Sequence, residues 1–273
     1  MMQRNYYYLV SGLPDIVPEQ SKTSLTLPEL VGELKAFLDP DDIHLLELLL
    51  LPHDNHNLLQ LLRKTDAPWD ALGRYSREEL EEKRREPGQL PSYMHRFVQA
   101  YEEDTPLWPG LSWKNQLIRL YYDYALDQTE GFLHEWFRFE RNLKNFLTAW
   151  NIREYQQAAD GQLIGEDEVV KALQKTHARD FSLSNELEYV DKLLQALERD
   201  DLLERERAID RIKWNFIDEK NTFHYFSVEV VLGYFLKFQM LDRWLRLDAE
   251  RGTRRIDQVI QQLENSVVFS NEA

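Results

Sequence analysis

The chain has 273 residues, with 33 Lys and Arg against 48 Asp and Glu, so its formal net charge at pH 7 is −15. A nucleic-acid-binding face needs concentrated basic residues that displace counterions from phosphates, and no such stretch occurs, so we expect neither nucleic acid nor anionic lipid as a partner. Hydrophobic residues (43%) suffice for a folded core, and the lack of cysteine excludes disulfides, thiolate nucleophiles and cysteine-based metal sites.

Hydropathy along the chain predicts no direct membrane insertion. The longest apolar run, LLELLLLP at residues 45–52, is far shorter than the roughly 20 residues that span a bilayer. The apolar stretch at residues 6–11 is broken by Gly12 and Pro14 and is too short for a signal peptide. We therefore expect a cytoplasmic protein that reaches a membrane only through protein partners.

The first third of the chain is typical of short helices joined by tight connections. Glycine and proline number only ten each, and strong helix formers dominate between them. Thr26, followed by proline, predicts one helix start, Asp39 predicts a second, and Asp54 predicts the cap of a third helix over residues 55–64. Residues 6–10 form the only stretch with a strand-like pattern, although an extended arm or a helical turn fits them equally.

Apolar residues at helical spacing predict long helices in the remainder. Two stripes with steps of three and four residues predict neighbouring helices that face each other: Trp113, Leu117, Leu120 and Tyr124, then Trp136, Phe139, Leu143, Phe146 and Trp150. Ser76 and Glu79 have the spacing of a capping box. Ser227 is the predicted cap of a last long helix, which we expect to end at Gly252 before a short helix over residues 254–263.

One internal similarity indicates a repeated helical unit. Residues 57–63 align with residues 142–148 at an offset of 85, and a weaker third copy begins at Trp244. We predict an all-α, multi-helical chain with three pseudo-repeats, at residues 1–90, 91–165 and 166–273. Chance alignment of leucine-rich segments is the alternative.

Sequence motifs for catalysis or cofactor binding are missing. No glycine-rich phosphate loop, serine-hydrolase elbow or zinc-protease motif occurs, so we expect no cofactor. His53 and His56 could hold a metal near Asp54, but Asp and Asn at a helix start are ordinary caps. Asn142 and Asn145 lie inside an apolar helix, where they either fix the helix register, bond a neighbouring loop or face solvent. The aromatic side chains either pack as a core or line a ligand cleft.

Several segments resemble an uncharacterised bacterial family associated with V-type ATPases. The resemblance is carried by residues 5–15 (NYYYLVSGLPD) and residues 54–63 (DNHNLLQLLR). That family in turn is similar to the C-type subunit of the V/A-type ATPase, whose eukaryotic equivalent is the d-type subunit. The C-type family has a recurrent acidic-x-x-Asn-Leu element, which Asp54-x-x-Asn57-Leu58 fits and Phe139-x-x-Asn142-Leu143 fits without the acid. Residues 228–237 resemble the helix of the third lobe, and they are followed by residues 241–246, in which Trp244 stands in place of the family's asparagine.

The resemblance implies a three-lobed, funnel-like fold without an active site. It implies a protein that couples the central shaft of the ATPase to the membrane rotor ring, with the shaft and ring subunits as partners. We expect partner contacts at Asp54, Asn57, Arg63, Asn142, Asn145 and Trp244, and at the loops around residues 53–57, 128–131 and 223–227. The alternatives are a helical-bundle enzyme or ligand-binding protein with an aromatic-lined cleft, and an interaction scaffold outside the ATPase.

Overall fold

The computed structural model describes residues 5–18, 20, 22–86, 88–156 and 162–247. These residues form helices and no strand, which confirms the all-α class. The chain divides into two compact units, a larger one of Leu38–Ile212 and a smaller one that combines residues through Phe37 with those from Lys213. The predicted boundaries at residues 90 and 165 do not coincide with this division, and the threefold repetition stays a prediction.

Helices account for most of the described chain. In chain order they are α1 (Tyr7–Gly12), α2 (Leu27–Phe37), α3 (Pro40–Arg63), α4 (Arg77–Lys83), α5 (Ser92–Glu102), α6 (Trp113–Asp127), α7 (Gly131–Glu154), α8 (Glu168–Lys175), α9 (Val190–Leu197), α10 (Leu202–Lys220) and α11 (residues 228–247). Within these described segments, no helix combines the length and the hydropathy needed to cross a membrane.

The core of the larger unit forms where α6 packs against α3, α5 and α7. The two predicted apolar stripes lie on α6 and α7, and most of their members are buried, so the prediction that these helices face each other is confirmed. The capping box of α4 is also confirmed, because Ser76 Oγ accepts from Glu79 N and Ser76 N donates to Glu79.

The prediction of a separate third helix over residues 55–64, capped by Asp54, is wrong. Helix α3 continues through Pro52, so Asp54 lies inside the helix rather than at a cap. A proline inside a helix has no N–H for the carbonyl four residues earlier, here that of Leu48. The hydroxyl of Tyr121 on α6 donates to Leu48 O at 3.1 Å in its place. Tertiary packing thus supplies the hydrogen bond that the sequence removes.

The smaller unit contains α1, α2, α11 and the last part of α10. Helix α2 begins as predicted, because Thr26 N and Oγ1 both donate to Glu29 at 2.8 Å. Residues 7–12 form α1, so the strand alternative for this segment is wrong. Helix α11 begins after Ser227 as predicted, but Ser227 Oγ is buried with no hydrogen-bond partner in the described ranges and forms no cap there. The predicted end at Gly252 and the helix over residues 254–263 lie outside the described residues.

Candidate functional site

The polar face of α3 holds the backbone of the loop that follows the helix. Asn57, fully buried, accepts from Asp70 N through Oδ1 and donates to Asp70 O through Nδ2, both at 2.9 Å. One helical turn later, Gln60 Nε2 donates to Pro68 O at 3.1 Å. We call the two bonds between Asn57 and Asp70 the first clamp, since a single side chain holds both polar groups of one loop residue.

Asp54 extends this contact to the next part of the loop. Its Oδ1 accepts from Arg74 N at 2.7 Å and from Tyr75 N at 3.3 Å, while its Oδ2 is buried without a hydrogen-bond partner among the described residues. Burial raises the pKa of Asp54 to about 6, although the two backbone hydrogen bonds lower it. Gly73 allows the close approach, because a Cβ there would lie 2.7 Å from Asn57 Nδ2 and 2.9 Å from Asp54 Oδ1.

Two histidines of α3 bond to residues at the first clamp: His53 to Asp70, and His56 to Gln60. His53 Nδ1 lies 2.7 Å from Asp70 Oδ2, and His56 Nε2 accepts from Gln60 Nε2. Burial acts to raise the pKa of Asp70, but hydrogen bonds from His53 and Leu72 N outweigh it and lower the pKa. Within the described residues, no group of three or more His, Asp and Glu side chains is arranged to hold a metal ion.

A second clamp of the same kind lies on α7. Asn145, also fully buried, accepts from Ile164 N at 2.8 Å and donates to Ile164 O at 2.7 Å. The prediction that an asparagine of α7 bonds a neighbouring loop is therefore confirmed for Asn145. Arg141 on the same helix forms an ion pair with Asp167, which also caps α8 through Val170 N. Gly165 follows the clamped residue in the left-handed region, with φ of 99°.

The geometry corrects the offset of the internal similarity. Asn57 and Asn145 form the equivalent bonds, and 88 residues separate them, so the sequence alignment at offset 85 is one helical turn out of register. At offset 88, Asn142 stands at the position of Asp54, and the basic Arg141 stands at that of His53. Asn142 Oδ1 is buried and has no hydrogen-bond partner in the part of the chain that the structure describes. The motif is thus a basic residue, then Asp or Asn, then Asn three residues further.

Most of the predicted contact residues are not on the surface. Asp54, Asn57, Asn142, Asn145 and Trp244 are at most 8% exposed, and only Arg63 is exposed. Partner binding by these six residues stays a prediction.

The larger unit has a cleft of about 300 Å³ between α3, α6 and α7. Its lining combines apolar and tyrosine side chains with a few polar groups, namely Pro52, Asn55, His56, Leu59, Lys114, Leu117, Ile118, Tyr121, Tyr122, Glu140 and Lys144. Burial raises the pKa of Tyr122 well above its ordinary value, and a hydrogen bond to Glu140 acts in the same direction. This cleft is the feature that the aromatic-cleft alternative requires.

Comparison with known proteins assigns the chain to a family. A family model described as "Protein of unknown function (DUF2764)" matches residues 2–267. The chain belongs to this family. No curated protein matches the sequence.

The sequence offered a weak signal for the clamped loops. Gln60 and Asn57 on α3, like Asn145 on α7, are polar residues within apolar faces, and each is followed within 20 residues by a glycine-containing loop, with Gly73 or Gly165. Polar groups that are buried in a helix need partners, and the nearest unpaired backbone lies in the loop that follows. The bonded loop residues, Asp70 and Ile164, share no residue type that would identify them in advance.

Proposed function

We propose that the protein is a non-catalytic component of a V/A-type rotary ATPase, which couples the central shaft to the membrane rotor ring during ion transport. In this role it lies on the cytoplasmic face of the ring and reaches the membrane through protein partners. The proposal combines the resemblance of residues 5–15 and 54–63 to ATPase-associated proteins with the construction of the helix-loop joints.

The observation that carries the proposal is the pair of clamps. In each clamp a buried asparagine bonds both polar groups of one loop residue, so the loop cannot shift relative to its helix without breaking two hydrogen bonds. Dense packing and paired buried groups resist deformation, which suits a part that transmits force between two partners. The same side chains are thereby committed to backbone groups rather than to a substrate.

Exposed aromatic residues offer a surface for a partner. In the loop predicted to make contacts, Phe223 is 86% exposed and Tyr225 is 69% exposed. Large apolar side chains that are exposed together are typical of protein interfaces. These exposed rings support our proposal that the loop around residues 223–227 contacts the ATPase.

Purification through a tag on this chain from its native cell, in gentle detergent, tests the proposal. We expect the catalytic, shaft and ring subunits of a rotary ATPase in fixed ratio by mass spectrometry. Phe223→Ser should lower their recovery at least about tenfold, whereas Tyr155→Ser, a matched change at an aromatic residue that is 62% exposed, should not. Recovery of the unaltered chain without ATPase subunits would reject the proposal.

The cleft of the larger unit favours a second candidate, a ligand-binding protein. Its tyrosine and leucine side chains suit an apolar body, and Lys114 adds a positive charge at the lining. Native mass spectrometry of the chain purified from its own cell tests this candidate. A small molecule that is bound to the wild type and absent from Leu117→Trp would support this candidate. If the folded wild type has only the mass of the chain itself, this candidate is rejected.

A further inference from the structure

The smaller unit has a cleft of about 320 Å³ that neither clamp accounts for. One wall comes from residues 10–16, and the others come from the end of α10, the loop after it, and α11. The lining combines aliphatic side chains, among them Val10, Leu13 and Ile217, with the polar side chains of Asn221 and Tyr234. A cleft of this composition suits a ligand with both apolar and polar parts.

Asn221 shares two features with Asn57 of the first clamp, although Ile217 stands where the clamp motif has a basic residue. Asp218 precedes it by three residues, as Asp54 precedes Asn57. A glycine also approaches it closely, because a Cβ on Gly233 would lie 2.5 Å from Asn221 Nδ2, compared with 2.7 Å between a Cβ on Gly73 and Asn57 Nδ2. Asn221, and not the predicted Trp244, is thus the residue of the smaller unit that shares the Asp-x-x-Asn spacing and the close glycine of Asn57.

The difference lies in the acceptor of Asn221. In both clamps the asparagine Oδ1 accepts from a backbone N–H, but Asn221 Oδ1 is buried and has no hydrogen-bond partner in the described chain. The hydroxyl of Tyr234, which lines the same cleft, is also buried and has no hydrogen-bond partner among those residues. Unpaired buried polar groups cost stability, and a ligand that pairs them regains it.

The charges around the cleft favour a positive group. The pKa of Tyr234 rises to about 12, first because of burial and then because the Glu33 and Asp15 carboxylates lie near it. Lys237, the basic residue of the lining, is already bonded to Asp218, and His224 lies 3.8 Å from Glu229. A ligand that enters therefore meets a net acidic surface.

We propose that this cleft binds an extended segment of a partner protein, with a backbone N–H that donates to Asn221 Oδ1 and an adjacent Lys or Arg beside Asp15 and Glu33. A long basic side chain fits because its aliphatic stem packs on apolar walls while its charged end reaches the carboxylates. The exposed rings of Phe223 and Tyr225, on either side of His224 in the chain, extend the surface for such a segment. The inference rests on the cleft and does not require the ATPase role.

Nuclear magnetic resonance of the full chain, with the Asn221 side-chain amide signals assigned by their loss in Asn221→Ala, tests the inference. The probe is the capped peptide acetyl-Val-Lys-Val-methylamide. We expect a saturable shift of these signals, with binding about tenfold weaker for the peptide with glutamate in place of lysine and for the peptide N-methylated at its central residue.

Two variants and one label separate the outcomes. Asn221→Ala should weaken binding at least about tenfold, measured through the Tyr234 ring signals, whereas Asn215→Ala, at an exposed asparagine of α10, should not. Equal binding by the lysine and glutamate peptides, or by wild type and Asn221→Ala, would overturn the inference, as would no saturable shift.

The chain has no cysteine, so Ser266→Cys provides a single site for a spin label. Broadening of the Asn221 signals by that label would assign the cleft to the chain's own tail and also overturn the inference.

Discussion

The hydrogen bond from Tyr121 to Leu48 explains how α3 passes through Pro52, and a double-mutant cycle can test this explanation. Pro52 leaves the Leu48 carbonyl without its helical donor, and the Tyr121 hydroxyl supplies the substitute at 3.1 Å. Tyr121→Phe removes the substitute alone. Pro52→Ala restores the helical N–H, so the carbonyl then has a donor whether or not the hydroxyl is present.

The structure gives a magnitude for each step. Tyr121 is 4% exposed, so Tyr121→Phe leaves a buried carbonyl unpaired and should cost about 2 kcal/mol of unfolding free energy. In the Pro52→Ala background the same change should cost about 0.5 kcal/mol, because only an additional bond to an already paired carbonyl is lost. The expected coupling free energy between the two positions is therefore about 1.5 kcal/mol.

Urea unfolding, followed by tryptophan fluorescence and far-ultraviolet circular dichroism, measures these free energies. Tyr124→Phe, on the same helix, is the matched control and should be additive with Pro52→Ala within about 0.5 kcal/mol. A coupling below about 0.5 kcal/mol between Tyr121 and Pro52 would refute the reasoning, since the hydroxyl would then not act as the substitute donor for the helix.

Three further predictions concern the clamp asparagines and two residues beside the first clamp, Asp54 and Gly73. In the same urea assay, Asn145→Ala should reduce the unfolding free energy by about 3 kcal/mol and Asn57→Ala by about 2 kcal/mol. The larger loss is expected for Asn145 because its bonds to Ile164 are fully buried, whereas the bonds of Asn57 to Asp70 are partly buried. A larger loss for Asn57→Ala would contradict this explanation. The raised pKa of Asp54 means that the folded state holds the proton more tightly than the unfolded state. As the pH rises from about 4 to about 7, the unfolding free energy of the wild type should therefore fall by about 3 kcal/mol relative to that of Asp54→Asn. Parallel profiles of unfolding free energy against pH for the two proteins would show that the pKa of Asp54 is not raised. Gly73→Ala should destabilise the protein by about 1–3 kcal/mol, because the added Cβ clashes with the side chains of Asn57 and Asp54. The control Gly32→Ala, at an exposed position of α2 with open space around the added Cβ, should stabilise the protein by about 0.5–1 kcal/mol. Equal effects of the two changes in thermal unfolding would contradict the close approach at Gly73.

The sequence predicts the helices better than their junctions. Apolar spacing suffices for α6 and α7, because a stripe at steps of three and four residues leaves one face to bury. The same reasoning fails at Pro52, where local chemistry favours a break and a hydroxyl 69 residues away in the chain removes the cause. A partner so distant in sequence leaves no local pattern, so single-sequence reasoning misplaced the helix end and treated Asp54 as a cap.

The candidate site was predictable in kind but not in register. A buried asparagine inside an apolar helix requires a partner, and this requirement alone led to the expectation that Asn142 or Asn145 bonds a loop. Leucine matching then selected the offset of 85, which pairs Asn57 with Asn142. The hydrogen bonds indicate an offset of 88 residues instead, because Asn57 and Asn145 make the same bonds to a loop backbone. A leucine next to the asparagine does not identify the residue that makes these bonds.

The three asparagines differ in where their donor comes from, and this difference couples binding to stability. Asn57 and Asn145 accept from loops of their own chain, so the larger unit gains nothing at these positions from a partner. Asn221 Oδ1 has no donor within the described chain, so any segment that supplies one stabilises the smaller unit by mass action. A partner that enters this cleft would therefore pair a buried acceptor that the described chain leaves unpaired, whereas Asn57 and Asn145 already have their donors.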